Sequence, residues 1–236
     1  MKIHDYPRRR SPHQKYIFNG DIVGPKPKMQ WKKDKTNFVY GHTYGTENKT
    51  KVAAWFVSHC RTRSKREGFV KQLQDALYPY RYTVDVYGKC GNLNCPRAKD
   101  LDCGFLLKRD YFFYMSLENS FAEDYVTEKL LTALENGVVP IVYGGADYSR
   151  FLPPGSYIDG RKQNMYQLAA ILDELSHSPR KYNQFFSWKQ HYSYHYPFKE
   201  NVCNICKALN DESLMEKSTV YTDFRSWWNP SYKTRC

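Results

Sequence analysis

Several features that would place a chain in a large functional class are missing from this sequence. No run of about 18 apolar residues occurs in the 236 residues, so no segment is predicted to span a bilayer. The opening residues, MKIHDYPRRRSPHQ, lack the apolar stretch of a signal peptide. Neither GxGxxG nor GxxxxGK[ST] is present, which argues against dinucleotide-binding and P-loop chemistry. No internal repeat of about 20 to 50 residues appears, which excludes solenoids and propellers.

Positive charge and tyrosine are what the chain has in excess. Lys and Arg number 36 against 24 Asp and Glu, which gives a formal net charge of +12, and 21 residues are tyrosine. A surface of this sign attracts anions, so nucleic acid, acidic membranes and nucleotide phosphates are all compatible partners. No RNP-like pattern occurs, and most aromatic residues fall in predicted strands, so we expect no nucleic-acid partner.

The cysteines indicate an oxidising compartment, because several of them stand beside Pro, Gly or Asn in loop-like contexts. Structural disulfides are the interpretation we favour over zinc, since no His pair completes a metal site. We expect Cys203 and Cys206 to be oxidised, either to each other or to other cysteines such as Cys236, and not to hold metal. The disulfide candidates are Cys60, Cys90, Cys95, Cys103, Cys203, Cys206 and Cys236.

One sequon points in the same direction as the cysteines. Asn48-Lys49-Thr50 marks Asn48 as a candidate N-glycosylation site, which is expected only in a secreted or lumenal protein. A lumenal protein whose membrane anchor is missing from this chain would reconcile the sequon, the cysteines and the lack of a leader.

The order of the apolar segments predicts an α/β fold. Strands are predicted at VAAWFVS (52–58), TVDVYG (83–88), YFFYMSLE (111–118) and VVPIVYG (138–144), with helices after the first strand and at about 164–176. Strands that alternate with helices predict a mostly parallel sheet covered by helices on both faces. In such sheets ligands bind at the carboxyl ends of the strands.

The segment NSFAEDYVTEKLLTALENGVVPIVYGG (119–145) concentrates hydrogen-bonding groups before a predicted helix. We expect Asp124 to cap this helix and Tyr125 to begin it, so that Tyr125, Glu128 and Lys129 share one face. With Asn119 just upstream, this arrangement fits a nucleotide site: Lys for phosphate, Glu for ribose hydroxyls, Tyr and Asn for orientation. An ordinary amphipathic helix with a solvated Glu–Lys face fits the residues equally well.

A longer match supports the nucleotide site. The block FYMSLENSFAEDYVTEKLLTALENGVVPIVYGGADYSRFLPPGSYID resembles the α1,3-fucosyltransferases, whose usual form reads F-Y-L-x-F-E-N-S, D-Y-[VI]-T-E-K, A-L, V-P-[IV]-V and F-x-P-x-S-[FY]-I. KTKVAAWFVSHCRTRSKREGFVKQLQ, VDVYGKCGNLNCPR and VCNICKALNDESL are similar to the subgroup that modifies the asparagine-linked GlcNAc of N-glycan cores. The resemblance covers roughly residues 50 to 236.

This resemblance implies a GT-B architecture, of which the chain would hold mainly the C-terminal Rossmann-like domain. It divides the chain into residues 1–50, a remnant of the N-terminal acceptor domain or a linker; 51–196, the GDP-fucose-binding domain; and 197–236, a cysteine-containing tail packed back on that domain. The implied donor-binding residues are Arg66, Tyr114, Asn119, Tyr125, Glu128 and Lys129.

The resemblance also implies a chemistry and a location. The reaction would be inverting transfer of L-fucose from GDP-β-L-fucose to GlcNAc of an N-glycan on a glycoprotein, without an obligatory metal, although a divalent cation such as Mn²⁺ could stimulate it. The full-length form would be a type II membrane protein of the Golgi lumen. The family's general base lies in an E-[SC]-P type motif, whereas Arg10 stands before Ser11-Pro12 here, so we expect this chain to lack the base. A catalytically inactive GDP-fucose-binding fragment and a basic secreted binding module remain the alternatives.

Overall fold

A computed structural model describes residues 16–18, 21–23, 46–95, 103–122, 125–190 and 198–215. The strands of this part of the chain are β1 (Tyr16–Phe18), β2 (Asp21–Val23), β3 (Lys51–Phe56), β4 (Val84–Tyr87), β5 (Tyr111–Leu117), β6 (Val139–Tyr143) and β7 (Ile158–Asp159). Its helices are α1 (Arg66–Leu77), α2 (Cys103–Asp110), α3 (Lys129–Glu135), α4 (Met165–His177), α5 (Pro179–Gln184), α6 (Phe198–Leu209) and α7 (Glu212–Met215). Short 3-10 helices cover Tyr78–Tyr80, Tyr148–Arg150 and Ser187–Gln190.

The central sheet is parallel throughout and has the strand order β4-β3-β5-β6-β7. Its middle strand, β5, is buried at every position, because all residues of the run YFFYMSL except Ser116 present apolar or aromatic side chains to the two faces, and the Ser116 hydroxyl donates to the Lys129 carbonyl. β1 and β2 form a separate antiparallel pair. The predicted α/β arrangement, with a parallel sheet between helices, is therefore observed.

The helices cover both faces of the sheet. α1 and α4 share one apolar cluster with the sheet, in which Phe69, Leu73, Leu168 and Leu172 are buried. α2 and α3 cover the opposite face through Leu107 and Ala133. The buried side chains of α1 and α4 recur at the 3.6-residue spacing of a helix. This periodicity predicted the two helices from the sequence.

The chain divides into two compact units. One is Thr36–Gln190, which contains the five-stranded sheet, and the other combines Met1–Lys35 with His191–Cys236. The domain boundaries inferred from the resemblance stay a prediction.

The start of α3 differs from the prediction. The helix begins at Lys129, with Glu128 as its N-cap, and not at Tyr125. The segment before the helix is instead tied to the end of β5, because the backbone N–H of Thr127 donates to the Glu118 carboxylate at 2.8 Å. Tyr125, Glu128 and Lys129 therefore do not share a helical face, and the predicted cap Asp124 lies outside the described residues.

Four of the candidate cysteines form disulfides, Cys60–Cys90 and Cys95–Cys103. The prediction that Cys203 and Cys206 are oxidised to each other is wrong, because both are exposed free thiols on α6. Residues three apart on a helix hold their Cβ atoms about 5–6 Å apart, which exceeds the roughly 3.5–4.5 Å of a disulfide. Cys236 lies outside the described residues.

Within the described ranges, no helix has both the length and the apolar character needed to cross a bilayer.

Candidate functional site

The candidate site lies where the connections of the sheet reverse direction. After β3 the chain crosses one face of the sheet through α1 to reach β4, whereas after β5 it crosses the other face through α3 to reach β6. The connections that leave the neighbouring strands β3 and β5 therefore pass to opposite faces of the sheet, and we call the region beside them at the carboxyl ends the crevice. This is the position at which open α/β sheets bind their ligands.

Hydrogen bonds to three consecutive carbonyl groups fasten these two loops together. The Arg66 guanidinium donates from Nη1 to the Leu117 carbonyl at 2.7 Å, and the Ser64 hydroxyl donates to the Glu118 carbonyl at 2.7 Å. The Ser64 backbone N–H donates to the Asn119 carbonyl at 3.2 Å. The start of α1 and the end of β5 consequently form one hydrogen-bonded unit.

Arg66, a predicted diphosphate ligand, is almost completely buried, at 3% exposure. Besides Leu117, its guanidinium donates to the His59 carbonyl at 3.1 Å and lies 5.3 Å from the centre of the Trp55 ring. Burial lowers the pKa of the Arg66 guanidinium, while the charges of Glu67 and Glu118 act in the opposite direction. Arginine stays protonated in proteins. The positive charge of Arg66 is therefore fixed beneath the crevice. Its Nε atom has no hydrogen-bond partner among the described residues.

A buried carboxylate organises the segment before α3. Glu118 follows the last residue of β5 and is 1% exposed. Its carboxylate accepts from the backbone N–H and the hydroxyl of Thr127 at 2.8 and 2.9 Å. The Lys129 ammonium lies 3.2 Å from the same carboxylate and donates to the Thr127 hydroxyl at 2.6 Å. We call Glu118, Thr127 and Lys129 the carboxylate–lysine cluster.

The electrostatics of this cluster are set by opposing influences. Burial raises the pKa of the Glu118 carboxyl, while the Lys129 ammonium and the Thr127 hydrogen bonds act in the opposite direction. A carboxyl taken out of water in this way depends on its charged neighbour to remain ionised. Because the Glu118 carboxylate has almost no access to water, its ion pair with the Lys129 ammonium holds that side chain in place.

The other predicted residues are distributed around the cluster. Glu128 is largely exposed, and its carboxylate lies 3.3 Å from the Lys129 ammonium. Asn119 is partly buried, and its side-chain oxygen has no hydrogen-bond partner in the described part of the chain. Tyr125 is partly exposed and close enough to Arg66 to influence its pKa.

Tyr114 is placed differently from the rest. It lies three residues before the end of β5, is 3% exposed, and packs edge-on against Phe56 with ring centres 5.1 Å apart. Burial and the negative charge of Glu128 both raise the pKa of the Tyr114 hydroxyl. The structure thus brings Asn119, Tyr125, Glu128 and Lys129 to the crevice. Arg66 and Tyr114, each 3% exposed, lie beneath it.

Three residues that the sequence reasoning did not assign to the site belong to it: Ser64, Glu118 and Thr127. Glu118 carried a recognisable signal, since it is an acidic residue directly after a continuous apolar strand. Ser64 and Thr127 had none, because their roles depend on contacts across 54 and 9 residues of sequence.

The two glycines that follow β6 allow its loop to approach the crevice closely. A Cβ atom on Gly145 would lie 2.3 Å from the Phe121 carbonyl carbon, and one on Gly144 would lie 2.4 Å from the Tyr148 hydroxyl. Larger residues would push the 119–122 segment outward. Phe121 is also held by its ring, which packs edge-on against Tyr143 at 4.8 Å.

The disulfide Cys60–Cys90 braces the outer side of the site. It joins the loop after β3 to the loop after β4, with the two Cα atoms 5.2 Å apart. Both loops lie at the carboxyl edge, so the bridge limits the freedom of the basic segment that leads to Arg66. Among the described residues, no group of three or more His, Cys, Asp or Glu could hold a metal ion.

Comparison with known proteins identifies the relatives of this chain. The family model for glycosyltransferase family 10 (fucosyltransferase), C-terminal part, matches residues 46–227. The Drosophila melanogaster α-(1,3)-fucosyltransferase C is 44% identical over 211 residues, which cover 88% of this chain and 47% of that protein. The Caenorhabditis elegans α-(1,3)-fucosyltransferase fut-1 is 39% identical over 176 residues, which cover 73% of this chain and 39% of that protein. The chain thus spans less than half the length of these two relatives.

A solved structure shares the fold. The crystal structure of an α1,3-fucosyltransferase with GDP-fucose superposes with a TM-score of 0.53 at 17% identity, covering 77% of this chain and 51% of that one. The likeness confirms the predicted fold class, α/β of GT-B type with mainly the C-terminal Rossmann-like domain. Together with the family model, which matches most of the chain, the relatives settle its membership. The chain belongs to glycosyltransferase family 10, the fucosyltransferases.

Proposed function

We propose that this chain is the donor-binding part of an α1,3-fucosyltransferase that transfers L-fucose from GDP-β-L-fucose, with inversion, to GlcNAc of N-glycans. Family membership and a structural neighbour solved with GDP-fucose support the donor. A Drosophila melanogaster relative named glycoprotein 3-α-L-fucosyltransferase A, 36% identical over 217 residues, supports the acceptor class. The observation that carries the proposal is the carboxylate–lysine cluster beside Arg66 and Asn119 at the switch point of the sheet.

Lys129 is suited to hold a diphosphate because one of its three contacts is replaceable. Its ammonium uses its three N–H groups on Thr127, Glu118 and Glu128. The first two partners are buried or half-buried, whereas Glu128 is 65% exposed at the crevice. A phosphate oxygen can take the place of Glu128, which then becomes available to accept from ribose hydroxyls.

The remaining predicted residues complete the donor site. Arg66 contributes a fixed positive charge from below, and Asn119 offers its unpartnered side-chain oxygen. Tyr125 orients the nucleotide, and Tyr114 supports the layer beneath. As the glycosidic bond breaks, negative charge grows on the departing GDP, and the two cations stabilise it without an obligatory metal. Mn²⁺ would act only as a stimulator.

The proposed location is the Golgi lumen, with the full-length protein anchored as a type II membrane protein. Two disulfides in the described part of the chain support an oxidising compartment.

Calorimetric titration with GDP tests the donor site. Lys129→Ala should weaken GDP binding about 10- to 150-fold, because a charge-assisted hydrogen bond contributes roughly 1.5–3 kcal/mol. Arg66→Ala should also weaken it, and Lys129→Arg should retain most of the affinity. Lys162→Ala is the matched control, since Lys162 is an exposed cation in the loop after β7. Affinity that is equal in the wild-type chain and both alanine variants would contradict the assignment.

A transfer assay separates the enzyme from its alternatives. Labelled fucose is offered as GDP-fucose to the chain together with an N-glycan acceptor. We expect GDP-fucose to bind and transfer to be slow, since general-base catalysis typically contributes about 10²–10⁴-fold and we expect the base to be missing from this chain. Binding without any transfer would favour a donor-binding fragment. A chain that binds neither GDP nor GDP-fucose would favour a basic binding module.

A further inference from the structure

We propose that Tyr148 is a positioning residue of the donor site, whose hydroxyl donates to the Glu118 carboxylate once a nucleoside diphosphate is bound to Lys129. The hydrogen bond supports a buried carboxylate at the moment when a second anion arrives beside it. The inference rests on the proposed function, because it takes Lys129 as the ligand of the diphosphate.

The Tyr148 hydroxyl is a buried donor without an acceptor. Tyr148 begins the 3-10 helix after β6 and is 2% exposed. Its backbone is fixed, since its carbonyl accepts from the backbone N–H groups of Phe151 and Leu152 at 3.0 and 2.9 Å. The hydroxyl oxygen has no hydrogen-bond partner among the described residues. An unpaired buried hydroxyl costs free energy, so a group in this state indicates a role beyond the packing of the free chain.

The side chain of Glu118 lies beside this hydroxyl. A Cβ atom on Gly144 would be 2.4 Å from the Tyr148 hydroxyl and 3.2 Å from both Cβ and Cγ of Glu118. Because position 144 is glycine, no side chain of that residue separates the two groups. Burial and, after it, the negative charge of Glu118 raise the pKa of the Tyr148 hydroxyl. The hydroxyl therefore keeps its proton at neutral pH and is available as a donor.

Glu118 has room for one more hydrogen bond. An ionised carboxylate offers about four lone-pair positions to donors. In the described part of the chain, three donor groups reach it: the backbone N–H of Thr127, the hydroxyl of Thr127 and the Lys129 ammonium. One acceptor position is left, and the Tyr148 hydroxyl is the unused buried donor next to it.

Binding of a diphosphate creates the need for this bond. A phosphate oxygen on Lys129 adds negative charge to an ammonium that already neutralises Glu118. The two anions then share one cation where water is scarce, so they repel each other more strongly than they would in solvent. A hydrogen bond from Tyr148 stabilises the carboxylate without a further ion and reduces this repulsion. Tyr148 thus acts on the diphosphate only through Glu118 and Lys129.

The experiment compares stability and GDP affinity in Tyr148→Phe, which removes only the hydroxyl oxygen. No hydrogen bond is lost in the free chain, so we expect its Tm to lie within about 2 °C of the wild-type value or above it. Its GDP affinity, measured by calorimetry, should fall about 10-fold or more, because the lost bond has a charged acceptor.

Tyr182→Phe is the matched control, with the opposite pattern expected. The buried Tyr182 hydroxyl donates to the Phe112 carbonyl at 2.6 Å, near the amino end of β5 and away from the crevice. Its removal should lower the Tm by about 2–8 °C and leave GDP affinity unchanged. A Tm loss in Tyr148→Phe as large as that in Tyr182→Phe would show that the Tyr148 hydroxyl is structural and would overturn the proposal.

A double variant tests the route through the carboxylate. Glu118→Gln leaves no buried charge for Tyr148 to support, so adding Tyr148→Phe to it should change GDP affinity by less than about 2-fold. An equal loss in both backgrounds would overturn the route through Glu118. GDP affinity that is equal in the wild-type chain and Tyr148→Phe would overturn the inference and leave the proposed function intact, whereas a wild-type chain that does not bind GDP would contradict the proposed function itself.

Discussion

Replacing Lys129 by methionine should destabilise the fold through the loss of a charge that a buried carboxylate depends on. Glu118 is 1% exposed, and Lys129 is its only cationic contact among the described residues. In Lys129→Met the Thr127 hydrogen bonds remain, but the carboxylate must either stay charged without a counter-ion or take up a proton. Both outcomes lower the stability of the folded chain near neutral pH.

The size of the effect follows from the burial of the pair. Removing one partner of a buried ion pair costs roughly 3–5 kcal/mol, and the lower end applies because the Lys129 side chain is 17% exposed. A loss of about 3 kcal/mol corresponds to a decrease in Tm of about 6–12 °C for a chain of this length. Glu118→Gln removes the charge of the carboxylate. In the double variant, the change Lys129→Met therefore leaves no buried charge without a counter-ion. We therefore expect the double variant to lose about 1–3 kcal/mol less than the sum of the single losses.

Denaturant unfolding of the four proteins at several pH values is the assay. The raised pKa of Glu118 means that its contribution to stability is present below its ordinary pKa and is lost as the pH rises through its folded value. Removing Lys129 raises that pKa further, so the deficit of Lys129→Met should shrink as the pH falls from about 7 to about 5. Additive losses within about 0.5 kcal/mol, or a deficit that does not vary with pH, would refute the reasoning.

Two further predictions concern the disulfides and a buried amine. Replacing Cys60 and Cys90 by serine should destabilise the chain by about 3.5 kcal/mol, and replacing Cys95 and Cys103 by serine should destabilise it by about 2.5 kcal/mol, because the closed loops span 30 and 8 residues. Thermal unfolding measures both losses. A larger loss for the Cys95–Cys103 pair would contradict the dependence on loop length. Burial lowers the pKa of Lys49 from 10.5 to about 8, so the folded chain binds this proton less tightly than the unfolded chain does. Relative to Lys49→Met, the wild-type chain should gain up to about 3 kcal/mol as the pH rises from about 8 towards 10.5, and parallel stability curves would show that the amine is not perturbed.

The elements of the sheet could be predicted because their signals are local. Residues 52–57 and the VVPIV run are apolar throughout, and the YFFYMSL run is apolar or aromatic except at Ser116. The structure places β3, β5 and β6 within a residue or two of the predicted bounds. α4 begins at Met165 where Asn164 caps it, and the prediction differs there by one residue. β7 escaped prediction because it has two residues and no periodicity.

The site could be predicted less well, because its order depends on contacts between distant segments. The residue pattern predicts a helix from Tyr125 onward, but the helix begins at Lys129, and the Thr127 N–H ahead of it donates to the Glu118 carboxylate nine residues earlier in the sequence. Nothing in the basic run RTRSKR distinguishes Arg66 from its neighbours. Only the fold shows that Arg66 is buried beneath the crevice and bonded to the end of β5.

The three carbonyls that fasten the loops of β3 and β5 together also restrict where the length of this chain can vary. Ser64 and Arg66 are two residues apart, and so are the outermost carbonyls that they reach, those of Leu117 and Asn119. One residue inserted or deleted between Ser64 and Arg66 would misalign the Arg66 bond with the two bonds of Ser64. Insertions between residues 61 and 63 would leave these three bonds aligned, because they lengthen the loop between the Cys60–Cys90 bridge and Ser64. We therefore expect length differences among related chains to fall before Ser64, and the Ser64–Arg66 spacing to be kept even where the loop sequence is not.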